Sequence, residues 1–330
     1  MKFGEVSVAT AAGAVLAHSV GVSGKRLRKG IVLTSQDIEA LEASGHETVV
    51  VARLSASDVD ENTAARRLAA ALAPDPVARG VQIKEAFTGR VNLVAVHPGV
   101  VALDEDALRE VNRIDPMITC ATVPAFQQMA PGGLVATIKI ISYGVDAGHL
   151  DAACAAAGDG IRVLPPVAKT VELIVTDIPG GAGDKGREAI ENRLMAFGIQ
   201  MAPPVRVPHQ TGALTAALAG STADVVLILT GSATSDLHDV APAALIKAGG
   251  DVARFGMPVD PGNLLFLGSL QGRPVIGLPG CARSPALNGA DWVLSRIICG
   301  VDVTSDDIAA MAVGGLLKEI PTRPQPRRPR

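Results

Sequence analysis

The chain has 330 residues, of which 48% are hydrophobic and 19% charged, and its formal net charge is −3. That length suits two or three domains, and the apolar share excludes a disordered chain. Aromatic residues make up 2%, which leaves no stacking platform for single-stranded nucleic acid, and the charge balance gives no electrostatic reason to expect a nucleic-acid partner.

Residues 1–58 read as a small β-rich module. Short β-like runs at Val6–Ala9, Ile31–Leu33 and Thr48–Ala52 are separated by glycine and charged turns. Thr34-Ser35-Gln36-Asp37 caps a predicted helix over Ile38–Ala43 that ends near Gly45. Residues 59–168 read as an α+β middle region. It opens with the helix-favouring DVDENTAARRLAAALA, has alternating runs at Val91–Val96 and Leu134–Ile141, and closes in DAACAAAGDG.

The pattern changes after Lys169, and residues 169–310 read as an α/β domain on a parallel sheet. VELIVTDI (171–178), TADVVLILTG (222–231) and GRPVIGLPG (272–280) are apolar runs of the kind a strand buried on both faces requires. A helix follows each one. The first carries Ile190, Leu194 and Phe197 on one face, the second lies around Ala243–Ala248, and the third spans about Pro285–Ile298. The remainder, 311–330, ends in PTRPQPRRPR and reads as a disordered terminus or a linker to a further domain.

Cys120, Cys154, Cys281 and Cys299 are scattered without CxxC pairing, which argues against a zinc site or disulfide framework and fits a reducing compartment. Glu5 and the lack of a leucine-rich stretch argue against a signal peptide in the first 20 residues. With no run of about 18 apolar residues, the chain is expected to be cytoplasmic, with no membrane partner.

Three glycine-rich loops follow the three strands: Gly180–Gly186, Gly231–Asp239 and Gly277–Arg283. Ligands of open parallel sheets sit outside the carboxyl ends of the strands. Glycine lets backbone N–H groups approach phosphate oxygens, and each following helix adds a partial positive charge. The first loop is neither GxGxxG nor a P-loop. Residue chemistry alone therefore reaches an anion-friendly cleft.

LILTGSATSDLHDVAPAALIKAGGDVARFGMPVDPGN followed by GRPVIGLPGCARS resembles the molybdopterin-binding domain of the molybdenum-insertase (molybdopterin molybdenumtransferase) family. Thr230-Gly231, Thr234, Asp239, Met257, Pro261-Gly262, Gly277-Leu278-Pro279-Gly280 and Ser284 take matching positions, in order, over about 130 residues, one domain's length. KRLRKGIVLTSQDIEALEASGHETVVV resembles the segment that precedes that domain in the family, but here it opens the chain.

The resemblance implies a three-layer parallel-sheet molybdopterin-binding domain acting in late cofactor biosynthesis, by metal insertion or by presenting the cofactor for modification. Its ligand would be molybdopterin or molybdenum cofactor, with Mg²⁺ and ATP or AMP as further participants. The pterin would be held by Thr230, Gly231, Ser232, Thr234, Ser235, Pro261, Gly262, Asn263, Pro279, Gly280, Arg283 and Ser284. Asp177, Asp236 and Asp239 would be the catalytic carboxylates, with Asp184 nearby and Asp239 as the Mg²⁺ ligand. A nucleotidyltransferase or molybdoenzyme is the implied protein partner, and a homo-oligomer is implied, for which the apolar loop Val123–Met129 offers an interface.

The sequence also departs from the family. Ser232 and Asp236 replace glycines, Asn263 replaces a lysine, His209-Gln210 replaces an acidic pair, and Arg283 supplies a cation nearby. Two other readings stay open: a non-catalytic cofactor-binding or sensing module, and an unrelated nucleotide- or phosphosugar-binding enzyme on the same architecture. Asp239 also reads as a plain helix cap, and Asp177 as a turn residue.

Overall fold

A computed structural model describes residues 1–183 and 185–317. The chain divides into two compact units, one made of 1–97, 101–125 and 129–163, the other of 98–100, 126–128 and 164 onward.

The first unit holds two apolar clusters. Near the N-terminus, β1 (Lys2–Ser7), β2 (Val15–Leu16), β3 (Val20–Val22), β4 (Lys25–Leu27), α1 (Ser35–Ala43) and β5 (Thr48–Arg53) surround Leu16, Leu33, Leu41 and Val51. The Thr34 side chain accepts the Asp37 N–H while Asp37 accepts that of Thr34, so the expected cap is a full capping box. Two expected strands are corrected. Val8–Thr10 is a 3-10 turn, and Ile31–Leu33 contributes a lone bridge, Val15 to Val32, because the α1 cap begins at once.

The second cluster includes Leu68, Leu93, Ile138 and Leu150. Its elements are β6 (Asp58–Asp60), α2 (Glu61–Leu72), β7 (Val81–Ile83), β8 (Arg90–Ala95), β9 (Gly99–Leu103), α3 (Glu105–Ile114), β10 (Ile118–Thr122), β11 (Gln128–Met129), β12 (Leu134–Ile140), β13 (Gly144–Asp146), α4 (Ala147–Ala157) and β14 (Ile161–Leu164). Strands β10, β12, β8 and β7 form an antiparallel sheet in that order.

The second unit is built on β15 (Val171–Asp177), α5 (Arg187–Met195), β16 (Val205–Pro208), α6 (Thr211–Gly220), β17 (Val225–Leu229), α7 (Val240–Lys247), β18 (Asp251–Phe255), β19 (Phe266–Leu270), β20 (Arg273–Gly277), α8 (Gly289–Ile298) and α9 (Ser305–Ala310). The six strands run β16-β15-β17-β20-β19-β18. All five residues of β17 are buried. Leu227 and Leu229 face a cluster with Leu194 of α5 and Val293 of α8, whereas Val226 and Ile228 face Leu214 of α6 and Leu245 of α7. Apolar residues on both sides of the pleat require helices on both faces, which is what the chain supplies.

The parallel sheet expected from sequence is corrected to a mixed one. β16, β15, β17 and β20 are parallel, while β19 pairs antiparallel with β20 on one side and β18 on the other. Only Gln271 and Gly272 join β19 to β20, both with positive φ (53° and 76°). A two-residue turn of that kind can connect only antiparallel neighbours. Among the described residues no helix is long and apolar enough to cross a membrane. Of the expected tail, Leu316 and Leu317 join the fold through Asp260. Residues 318–330, and Asp184, lie outside the described residues.

Gly277 closes β20 directly beneath an aromatic ring. A Cβ there would stand 1.9 Å from the Phe266 ring, so Gly277→Ala is expected to lower stability by about 1–3 kcal/mol through overpacking. Urea unfolding checks this; an unchanged midpoint would show that the ring moves aside freely.

Candidate functional site

The parallel strands deliver their carboxyl ends to one edge of the sheet. Thr176 and Asp177 of β15 are in register with Val207 and Pro208 of β16, and Val175 is in register with Leu229 of β17. Phe266 pairs with Gly277, so the segment entering β19 shares the edge where β20 ends. Residues 178–183, 185–186, 209–210, 230–239, 256–265 and 278–288 therefore gather on one side of the sheet, and they include all the candidate binding residues.

Thr176 ties three of these strand ends together. It is fully buried, and its hydroxyl accepts the Gly231 N–H at 3.0 Å and lies 2.7 Å from His209 Nδ1. The His209 N–H in turn donates to the Asp177 carbonyl. Gly231 must be glycine for this closeness, since a Cβ would meet the Thr176 carbonyl oxygen at 2.7 Å. Beside this node Asp177, Ile178, Pro179, Arg206, Val207 and Pro208 line an open cleft of about 430 Å³. Arg206 Nη1 pairs with Asp177 Oδ2 at 2.8 Å across it.

Two arginines organise the other loops. Arg283 donates to the Lys185 carbonyl at 2.7 Å and to the Thr230 carbonyl at 2.9 Å, joining the loops after β15, β17 and β20. Gly186 lets the backbone pass: its φ is +90°, and a Cβ would stand 2.5 Å from Arg283 Cα. Burial pushes the Arg283 guanidinium pKa down, and the charge of Asp177 acts against that shift. Arg193 of α5 pairs with Asp291 and donates to the carbonyls of Ala189, Ala282, Ser284 and Ala286. A loop with few side chains of its own gains carbonyl partners from one fork-shaped donor.

The candidate residues divide by what they do. Asp239 is the N-cap of α7: one carboxylate oxygen accepts the Val240 N–H, the other that of Ser235. Asp236 accepts the His238 N–H. Among the described residues no three His, Cys, Asp or Glu side chains converge as a metal site. Thr230 and Thr234 hydroxyls meet at 3.3 Å, with Thr234 buried and Ser232 and Ser235 exposed. Asn263 bonds back to the Met257 carbonyl, and the Pro261 carbonyl accepts the Gly289 N–H at the start of α8. Gly262 packs there too, where a Cβ would meet Gly289 N at 2.8 Å. Pro279 is buried beneath a 3-10 turn that begins at Gly280, and the Ser284 hydroxyl accepts the Ala286 N–H.

Sequence reasoning names neither Thr176 nor Arg193 nor Arg206 as site residues. Thr176 hides inside an apolar run, and Arg193 looks like any charged residue on a helix. His209 lies 33 positions from Thr176, and Asp291 lies 98 from Arg193. Arg187, whose charge opposes the dipole at the start of α5, is paired with Glu191.

Comparison with known proteins adds three findings. A domain of unknown function (DUF8806) matches residues 5–53. No curated protein matches. A crystal structure of the molybdopterin biosynthesis MoeA protein from Pyrococcus horikosii is similar at a TM-score of 0.32 and 14% identity, covering 91% of this chain and 75% of that one. A likeness at that TM-score carries no argument about this chain.

Substitutions at two positions test these roles. Asp239→Ala is expected to cost about 1 kcal/mol of stability and Asp239→Asn a smaller part of that, because asparagine keeps the α7 cap through its one carbonyl oxygen and gives up the Ser235 N–H bond. Equal losses in thermal unfolding would show that the charge matters and the cap does not. Arg193→Met strands the carboxylate of Asp291, which is 12% exposed, and is expected to cost about 3–5 kcal/mol in the same measurement.

Proposed function

We propose that the second unit binds a phosphorylated pterin of the molybdopterin class at the carboxyl-end edge of its sheet, and that it acts as a binder of the cofactor in late cofactor biosynthesis. The observation that carries this reading is the convergence of 230–239, 256–265 and 278–288, the segments with the family-like residues, on one edge. They are far apart in sequence, so a shared edge is what a common ligand would require.

Gly280 supports the same guest. Its φ is not left-handed and a Cβ would meet nothing within 4 Å. Neither backbone conformation nor packing calls for glycine there, whereas close approach of a ligand would. Among the described residues, the candidate carboxylates for a Mg²⁺-dependent transfer have protein partners: Asp239 caps α7, Asp177 holds Arg206 and Asp236 accepts the His238 N–H. Binding is therefore the favoured function, ahead of metal insertion.

The direct test is to purify the full chain anaerobically, extract small molecules and identify them by mass spectrometry. A phosphorylated pterin is expected; a nucleotide or sugar phosphate without pterin would overturn the reading. Gly280→Ala is expected to weaken pterin binding about tenfold with the melting temperature unchanged. Conversion of the bound pterin on adding Mg²⁺ and ATP would replace the binder with a transferase.

A further inference from the structure

We propose that His209 is a specificity-determining residue of this edge, held by Thr176 in the tautomer that presents an Nε2–H donor to a phosphate oxyanion. This rests on the function proposed above and adds the residue that reads the ligand's anionic end.

The argument begins with the Thr176 hydroxyl, which has one proton to donate and two lone pairs. The Gly231 N–H, at 3.0 Å, uses a lone pair. Thr176 is fully buried, so water does not take its proton, and a buried hydroxyl proton without an acceptor is costly. The partner in reach is His209 Nδ1 at 2.7 Å. If Nδ1 carried the proton, the Thr176 oxygen would accept twice and its own proton would be stranded. The arrangement that satisfies every group has Thr176 donating to a bare Nδ1, which places the imidazole proton on Nε2.

The two ring nitrogens diverge, so with Nδ1 turned toward the buried hydroxyl Nε2 faces away from it. His209 is half-buried, and its backbone is fixed by the bond to the Asp177 carbonyl. The ring is thus held from two sides at the edge where the Gly231 turn lies. A neutral imidazole offering a single N–H suits an acceptor that has no proton to give, and a phosphate oxyanion is that acceptor.

Two measurements on the full chain test this. Long-range proton–nitrogen correlation spectra of histidine-labelled protein at pH 8 are expected to show Nε2 protonated and Nδ1 bare at His209, with the preference lost in Thr176→Val. A protonated Nδ1 overturns the proposal with no ligand involved. Titration with inorganic phosphate, read by phosphorus line broadening, is then expected to give similar binding for wild type and His209→Gln, whose amide N–H reaches the place of Nε2. His209→Asn, which reaches only as far as Nδ1, is expected to bind about tenfold more weakly. Equal binding by all three overturns the role of His209 and leaves the proposed cleft standing. No binding by the wild type, with the Nε2–H tautomer observed, overturns the cleft itself and this role with it.

Discussion

Burial of β15 and β17 on both faces is the constraint on which the second unit depends. The buried Glu172 Oε2, near the start of β15, has no hydrogen-bond partner among the described residues, but a strand flanked by helices on either side leaves little room along its length for polar groups. Polar function is therefore driven to the strand ends, and the parallel order of β16, β15, β17 and β20 sends four ends to one edge. Thr176 is the one polar residue of β15 that is fully buried, and it lies next to the last position of that strand. From there its hydroxyl reaches a neighbouring loop on each side. The site follows from the core.

What holds the loops together follows from the same constraint. Glycine-rich segments have backbone polar groups and few side chains, so their carbonyls need donors from elsewhere. Arg283 and Arg193 supply them as planar forks that serve two and three loop carbonyls. A lysine ammonium, compact and strongly hydrated, lacks the fixed fork that spans such separations. The cost is that much of the donor capacity of Arg283 is spent inside the protein.

Legibility in the sequence tracks the range of the interaction. The three buried runs, the Thr34 capping box and the helices over Glu61–Leu72 and Arg187–Met195 are local signals and were readable as such. The hairpin that makes the sheet mixed was not, because Gln271-Gly272 lacks the Asn-Gly or Asp-Gly signature of its turn type. β16 was missed because Val205–Pro208 is half exposed and lacks the long apolar run of its neighbours. Helix α8 begins at Gly289, four residues later than expected, because Asn288 and Asp291 form its capping box and 285–288 belong to the loop. In the site, the glycines and Asp239 stood out by residue type. Thr176 and Arg193 act through partners that only the fold brings near, and no local pattern marks them.

Asp239 shows how the same residue can support two readings until its partners are known. A carboxylate after a TG turn fits a metal ligand, and a carboxylate two residues before Ala-Pro fits a helix cap. Both of its oxygens accept backbone N–H groups, and one of those donors, Ser235, lies in the loop that Asp239 closes. It therefore sets the shape of the Gly231–Asp239 loop as well as the start of α7. Backbone donors take two of the roughly four acceptor positions of this carboxylate, so what the fold asks of Asp239 first is to hold the chain on both sides of it.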